Sequence, residues 1–274
     1  MKQIFGTKEW AEETCDIQNG CPNGCRYCYA KAEAKRFDRP WDSSTSDYPI
    51  NSNKVSRLVC SRKPQRIMFP AHHDITKQNV RACLAAIISL VKAGHQVLIV
   101  SKPDPEVIDM LICSLPNHGN IEFRFTIGSG CNAMLHYWEP NAPRLGNRLE
   151  SLISAWQAGF RTSVSIEPML DSVPERVVEL VEPFVTETIW IGLPNFLAQR
   201  LAINCEPAHV RKMGRELMDL FTDDVIHRIH QNLVTNPKIR WKESMKKRLG
   251  LPLETKRPGI KERQQTTQEN ANAA

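Results

Sequence analysis

Apolar runs alternate with amphipathic stretches along most of this chain. Gln65-Arg-Ile-Met-Phe69 reads as a strand, and residues 77–93 then place Val80, Leu84, Ile87, Ile88 and Val91 on one helical face. Gly94 ends that helix. His95-Gln-Val-Leu-Ile-Val-Ser101 follows as a continuous apolar run, the pattern of a parallel strand covered on both faces. The unit then repeats. A helix opened by Pro103-Asp-Pro105 runs to Leu115, a strand covers 120–127, and a helix over 148–158 stops at Gly159. A strand over 160–166, a helix over 174–185 and a strand over 187–191 close the series.

A short strand at 13–18 and a helix at 30–37 precede these, separated from them by an irregular loop over 38–63 that holds Pro40, a Ser/Thr cluster at 43–46 and Pro49. Six strands alternating with helices predict a parallel sheet, and right-handed crossovers curl it into an α/β fold, a partial (β/α)6 TIM-like barrel. The barrel is expected over residues 1–206. A C-terminal helical extension packed on the same domain is expected over 207–253. It has Val210, Met213, Leu217 and Leu220 on one face, a continuation capped near Asp223 or Asp224, and a basic helix over 241–249. The polar residues 254–274 read as a disordered tail.

Charge matters only through its location. From Lys238 onward ten Lys/Arg face four acids, which accounts for the whole net charge of +6 and leaves residues 1–237 neutral. The neutral body excludes a broad nucleic-acid footprint; nucleic acid through the basic C-terminus is not favoured over a solvated helix. The longest apolar run, Leu84 to Val91, is far short of a membrane span, so no membrane partner is expected. Nine cysteines, an odd count in a chain without a secretory leader, predict free thiols in a reducing, cytoplasmic compartment.

Three of those cysteines are clustered. Asn19-Gly-Cys-Pro-Asn-Gly-Cys-Arg-Tyr-Cys-Tyr29 spaces Cys21, Cys25 and Cys28 as C-x3-C-x2-C. Three thiolates leave a metal one ligand short. On zinc a fourth donor closes the tetrahedron, and Cys15 is the plausible one. On a cubic four-iron cluster the gap leaves one iron open. The expected strand ends collect the other candidates on one rim: His72, His73 and Asp74, then Ser101 and Lys102, then Thr126 with Gly128-Ser-Gly130 and Cys131, then Ser165 and Glu167, and finally Gly192 and Asn195. The strand interiors are expected to stay apolar. His227 and His230 read as a partly exposed surface pair.

The cysteine spacing, with Tyr27 before the last cysteine, resembles the signature of the radical S-adenosylmethionine enzymes. The segment from Trp138-Glu-Pro-Asn to Leu152, the stretch from Ala158-Gly to Glu167-Pro-Met169, and Val100-Ser-Lys102 resemble the spore photoproduct lyase-like branch. The resemblance implies a [4Fe–4S] cluster on Cys21, Cys25 and Cys28, and an enzyme that reductively cleaves S-adenosylmethionine and abstracts hydrogen from a substrate. Tyr27, His73, Ser101, Lys102, Thr126, Ser165 and Glu167 would line the cofactor, with Lys102 on its carboxylate and Glu167 on a ribose hydroxyl or the substrate. His73 and Asp74 face the methionine or the substrate, or else form a turn with Asp74 as helix cap. Cys131 would return a hydrogen atom. An electron donor such as a flavodoxin or ferredoxin is implied as partner. Nucleic-acid repair or modification is one alternative. The other is a non-catalytic protein that holds zinc on four cysteines and binds nucleic acid.

Overall fold

The computed structural model describes residues 3–41, 50–61, 63–115 and 119–254. The Ser/Thr cluster at 43–46, Pro49 and the tail after Glu254 lie outside these. Seven parallel strands form one sheet in sequence order: β1 (Glu13–Thr14), β2 (Arg66–Phe69), β3 (Gln96–Ser101), β4 (Ile121–Thr126), β5 (Arg161–Ile166), β6 (Ile189–Ile191) and β7 (Ile239–Trp241). Each pairs only with its sequence neighbours, and β1 does not meet β7. The result is an α/β partial barrel with one open seam. Among the described residues, no helix is long and apolar enough to cross a membrane.

Helices α1 (Tyr29–Arg36), α2 (Asn53–Val59), α3 (Val80–Lys92), α4 (Pro105–Ser114), α5 (Asn132–Trp138), α6 (Leu145–Gln157), α7 (Glu175–Val181) and α8 (Leu197–Ile203) connect successive strands. Helices α9 (Ala208–Asp219) and α10 (Asp223–Leu233) lead into β7, and α11 (Glu243–Leu249) follows it. The segment over 207–253 thus adds a seventh strand as well as helices. Ile239-Arg-Trp241 is too short and too basic on its flanks to show in a pattern of apolar runs. Helix α2 likewise lies inside the expected loop over 38–63, and α5 in the stretch left between the expected strand over 120–127 and helix over 148–158.

Strand alternation divides the core. The outward residues, among them Ile67, Phe69, Val97, Ile99, Ile121, Phe123, Phe125 and Val164, join the helices in the main apolar cluster. The inward residues make a smaller cluster of Met68, Leu98 and Trp190 with Trp10 and Ala11 from the N-terminal segment. Below it the barrel interior is charged, not apolar as the sequence suggests. Glu122 accepts from Arg66 at 2.7 Å, Arg124 at 3.0 Å and the Ser163 hydroxyl at 2.6 Å, and Arg161 lies at 3.4 Å. Because strands β2, β4 and β5 each place a short inward stretch here, hydrophobic periodicity reads the charged positions as a solvent face.

The open seam is filled by the N-terminal segment. Lys242, just after β7, donates to the Gly6 carbonyl at 2.7 Å and pairs with Glu9 at 2.6 Å. Glu9 in turn accepts from the Glu243 amide at 2.9 Å, and the Ile4 amide donates to the Glu254 carbonyl at 3.0 Å. Arg66 donates to the Trp10 carbonyl at 2.8 Å, so this segment is tied to β2 as well as to the end of β7.

Candidate active site

A cavity of about 860 Å³ opens at the C-terminal ends of the strands, the end where α/β barrels place their chemistry. The cysteine loop forms one wall and the N-terminal segment another. Cys21, Cys25, Cys28, Tyr27, His73, Ser101, Lys102, Thr126 and Glu167 all line it. Its size is in the range of sites for cofactor-sized ligands.

The loop is held from three sides, each by residues remote in sequence. Asp74 is the first hub. It accepts from Asn23 Nδ2 at 2.8 Å, from the Ile75 amide at 2.8 Å, from the Lys102 amide at 3.1 Å and from the Ser101 hydroxyl. One carboxylate thereby joins the cysteine loop to the end of β3. It does not cap α3: the Thr76 amide donates instead to Asn79 at 2.8 Å. His73 Nε2 accepts from the Ile17 amide at 3.3 Å and its Nδ1 donates to the Asp74 carbonyl at 3.0 Å, a neutral tautomer that fits the lowering of its pKa by burial.

The second hub is Glu139, which accepts from the Tyr27 hydroxyl and from Arg148, itself donating to the Pro143 carbonyl at 2.7 Å and the Thr126 carbonyl at 3.0 Å. Beside it Asn141 donates to the Pro22 carbonyl at 3.0 Å, and the Arg26 amide donates to the Trp138 carbonyl at 2.9 Å. A Cβ at Gly24, whose φ is +63°, would lie 3.2 Å from Asn141, so the loop needs glycine there. The Trp138-Glu-Pro-Asn segment and the following Arg148 are therefore the clasp of the cysteine loop. The turn that follows helix α8 is the third support: Asn204 donates to the Arg26 and Cys28 carbonyls at 3.0 Å each, and Glu206 pairs with Arg26 at 3.0 Å.

Burial raises all three thiol pKa values: Cys21 to about 12, helped by the charge of Asp74, Cys25 well above its usual range, and Cys28 upward. Free of metal they are thiols, and metal binding must release their protons. Burial disfavours the charge on Lys102, yet the acidic groups around it, Cys25 when ionised and Glu139 and Asp74, outweigh burial and raise its pKa. Among the described residues Lys102 Nζ has no hydrogen-bond acceptor or ion-pair partner, so this cation is open to the cavity.

Cys15 does not join the other three. Its side chain points outward from the end of β1 into the main apolar cluster, with burial pushing its thiol up to about 12, so a four-cysteine zinc set is not assembled. Among the described residues no three His, Cys, Asp or Glu side chains converge on one metal-ion position. A four-iron cube instead takes thiolates at separate corners, and three sulfurs lining one cavity meet that need. Ser165 is fully buried beside Thr126 in the β4–β5 register, and its hydroxyl has no partner among the described residues. It is an orphan donor just under the cavity floor.

Cys131 stands apart, exposed at the N-cap of α5. The reason lies in Gly128, where a Cβ would meet the Pro168 carbonyl at 2.5 Å. This glycine permits packing of the β4 turn on the β5 loop, not approach to a ligand, and the chain then leaves the cavity. The basic helix α11 is neutralised locally: Lys246 pairs with Glu254 at 3.2 Å, Lys247 with Glu243, and Arg248 with Asp223 at 2.6 Å. The N-terminal wall of the cavity escaped the sequence reading, and so did Arg200 and Lys242. Arg200 lies on α8, a helix that no apolar run announced, and Lys242 sits 3.4 Å from Glu167. Gly192 makes room for the latter contact, since a Cβ there would lie 2.9 Å from Lys242 and 3.0 Å from Glu167.

No known family model matches the chain, and no curated protein matches it by sequence. Solved structures do match its fold. A spore photoproduct lyase complexed with dinucleoside spore photoproduct superposes with a TM-score of 0.55 at 16% identity, over 74% of this chain and 62% of that one. A lyase mutant with bound AdoMet and dinucleoside spore photoproduct gives 0.52 at 17% identity, over 69% and 58%. Streptococcus suis SuiB bound to precursor peptide SuiA gives 0.56 at 8% identity, over 87% of this chain and 50% of that one. The chain thus spans between half and two thirds of these neighbours. The partial α/β barrel expected from the sequence is the fold shared with these structures.

Proposed function

We propose that this chain is a radical S-adenosylmethionine enzyme in which Cys21, Cys25 and Cys28 hold a [4Fe–4S] cluster and the rest of the cavity seats S-adenosylmethionine. The observation that carries this reading is the set of three cavity-lining thiols, without a fourth among the described residues, beside about 860 Å³ of space. When bound, the cluster supplies the electron that cleaves S-adenosylmethionine to the 5′-deoxyadenosyl radical, which takes hydrogen from a substrate.

The chain's own residues bind and orient. Lys102 offers its unpaired ammonium to the methionine carboxylate, and Asp74 fixes the backbone that carries it. Thr126 serves the polar edge of the nucleoside, with the orphan Ser165 hydroxyl buried beside it. Glu167, partly open to the cavity, accepts from a ribose hydroxyl or from the substrate while Lys242 holds it in place. Trp10, Met68 and Val100 close the floor against water. The neighbours were seen with a dinucleoside photoproduct and with a peptide, so the cavity's own charge is the better guide to the substrate. An electron donor of the flavodoxin or ferredoxin type completes the scheme.

Anaerobic reconstitution with iron and sulfide tests the assignment. The wild-type chain and Cys15→Ala should each hold about four irons, and any one of Cys21→Ala, Cys25→Ala or Cys28→Ala should lose them. One tightly bound zinc per chain that disappears in Cys15→Ala would defeat it.

A further inference from the structure

The cavity contains more positive charge than one cofactor carboxylate requires. Lys242 is committed to Glu9 and Glu167. Lys102 faces the cysteine loop and is claimed by the methionine carboxylate under the reading above. Arg200 remains. Its side chain lines the same cavity, and among the described residues it has no hydrogen-bond acceptor and no carboxylate within ion-pair distance. Its neighbour is an aromatic face, with the guanidinium carbon 5.7 Å from the Tyr29 ring centroid. The other arginines around the loop are paired, Arg26 with Glu206 and Arg148 with Glu139.

Arg200 is also held in place. Helix α8 is pinned to the cysteine loop by Asn204 and Glu206, and the guanidinium rests on Tyr29, whose hydroxyl donates to the Ala71 carbonyl. Burial lowers its pKa, with the charge of Glu167 opposing this; a guanidinium nonetheless stays protonated in proteins. A half-buried cation without acceptors is costly to keep, and a planar fork of donors matches an oxyanion with two accepting oxygens.

We propose that Arg200 recognises an oxyanion, a phosphate or carboxylate, carried by the substrate. The inference rests on the cofactor reading above, which assigns Lys102 to S-adenosylmethionine. It makes the substrate an anionic molecule seated between α8 and the N-terminal segment, where the exposed Lys8 and Phe5 also face the cavity.

Inorganic phosphate is the probe. It is titrated calorimetrically into reconstituted protein loaded with S-adenosylmethionine, and separately into metal-free protein. Loaded wild type should bind phosphate, Arg200→Gln about tenfold or more weakly, and Arg200→Lys in between. S-adenosylmethionine affinity, read by equilibrium dialysis, should change less than about twofold in both variants. Equal phosphate binding by Arg200→Gln, or none by loaded wild type, overturns the proposal. So does a tenfold loss of S-adenosylmethionine affinity, which would give Arg200 to the cofactor. Failure of wild type to take up iron would sink the cofactor reading instead. In that event phosphate binding by the metal-free protein, lost in Arg200→Gln, still supports Arg200 as the oxyanion residue, and unchanged binding rejects it.

Discussion

The lower barrel and the cavity above it carry similar residues put to opposite use. Below, Arg66, Arg124 and Arg161 surround Glu122, whose carboxylate also accepts from Ser163. Above, Lys102 and Arg200 face space, and three thiols sit with their protons on. Charges that satisfy one another within the protein fix a shape. Charges left open around a cavity fix what can enter it. Pairing, more than charge or burial, separates the two regions.

Removing the cysteines should break the upper region and spare the lower. Cys21→Ala, Cys25→Ala and Cys28→Ala should each abolish iron retention, and Cys21→Ala, whose side chain neither packs on the main apolar cluster nor caps a helix, should shift thermal unfolding by less than about 1 kcal/mol. Melting curves of the metal-free proteins check the second half.

Glu122→Gln should do the reverse. It strands the arginines around one buried site, and losing one partner of such a group costs about 3–5 kcal/mol. Burial would raise the Glu122 pKa, but Arg66 and Arg124 outweigh it and bring it to about 2. This is below the unfolded value of roughly 4.3. The stabilisation is therefore complete above about pH 4.3 and is lost as pH falls toward 2. Urea unfolding between these values should show that slope in wild type and lack it in Glu122→Gln.

Asp74→Asn probes the link between the regions' styles, since Asp74 is fully paired yet touches the cavity. Removing the charge that holds Asn23, Ser101 and the Lys102 amide should weaken iron retention about tenfold or more, as loss of outer-sphere partners does at metal sites. Competition with a chelator reads it. The smallest effect is expected at the surface, where Lys247→Ala breaks a one-turn pair with Glu243 worth about 0.3–0.5 kcal/mol, readable by urea unfolding.

The barrel was legible because its repeating apolar runs are local. The cysteine trio was legible because its members lie within eight residues of one another in sequence. What escaped was short or distant. Strand β7 offers three residues and α8 seven, neither long enough to show a period. The contacts that make the site are pairs such as Asn23 with Asp74, Tyr27 with Glu139, and Lys242 with Glu9. Nothing near either partner announces the other. Arg200 had no motif around it, and it stands out because among the described residues it has no acceptor or ion-pair partner, which only the fold reveals. Lys102 was placed correctly at the end of β3, but its openness to the cavity depends on Asp74 spending its oxygens on amides and a hydroxyl.

The most direct measurement is product formation. The reconstituted chain is reduced with dithionite without oxygen, given S-adenosylmethionine, and assayed for 5′-deoxyadenosine by chromatography. Wild type and Cys15→Ala should release it, and Cys25→Ala should release none. No 5′-deoxyadenosine from a wild-type protein that carries about four irons and binds S-adenosylmethionine would contradict the account.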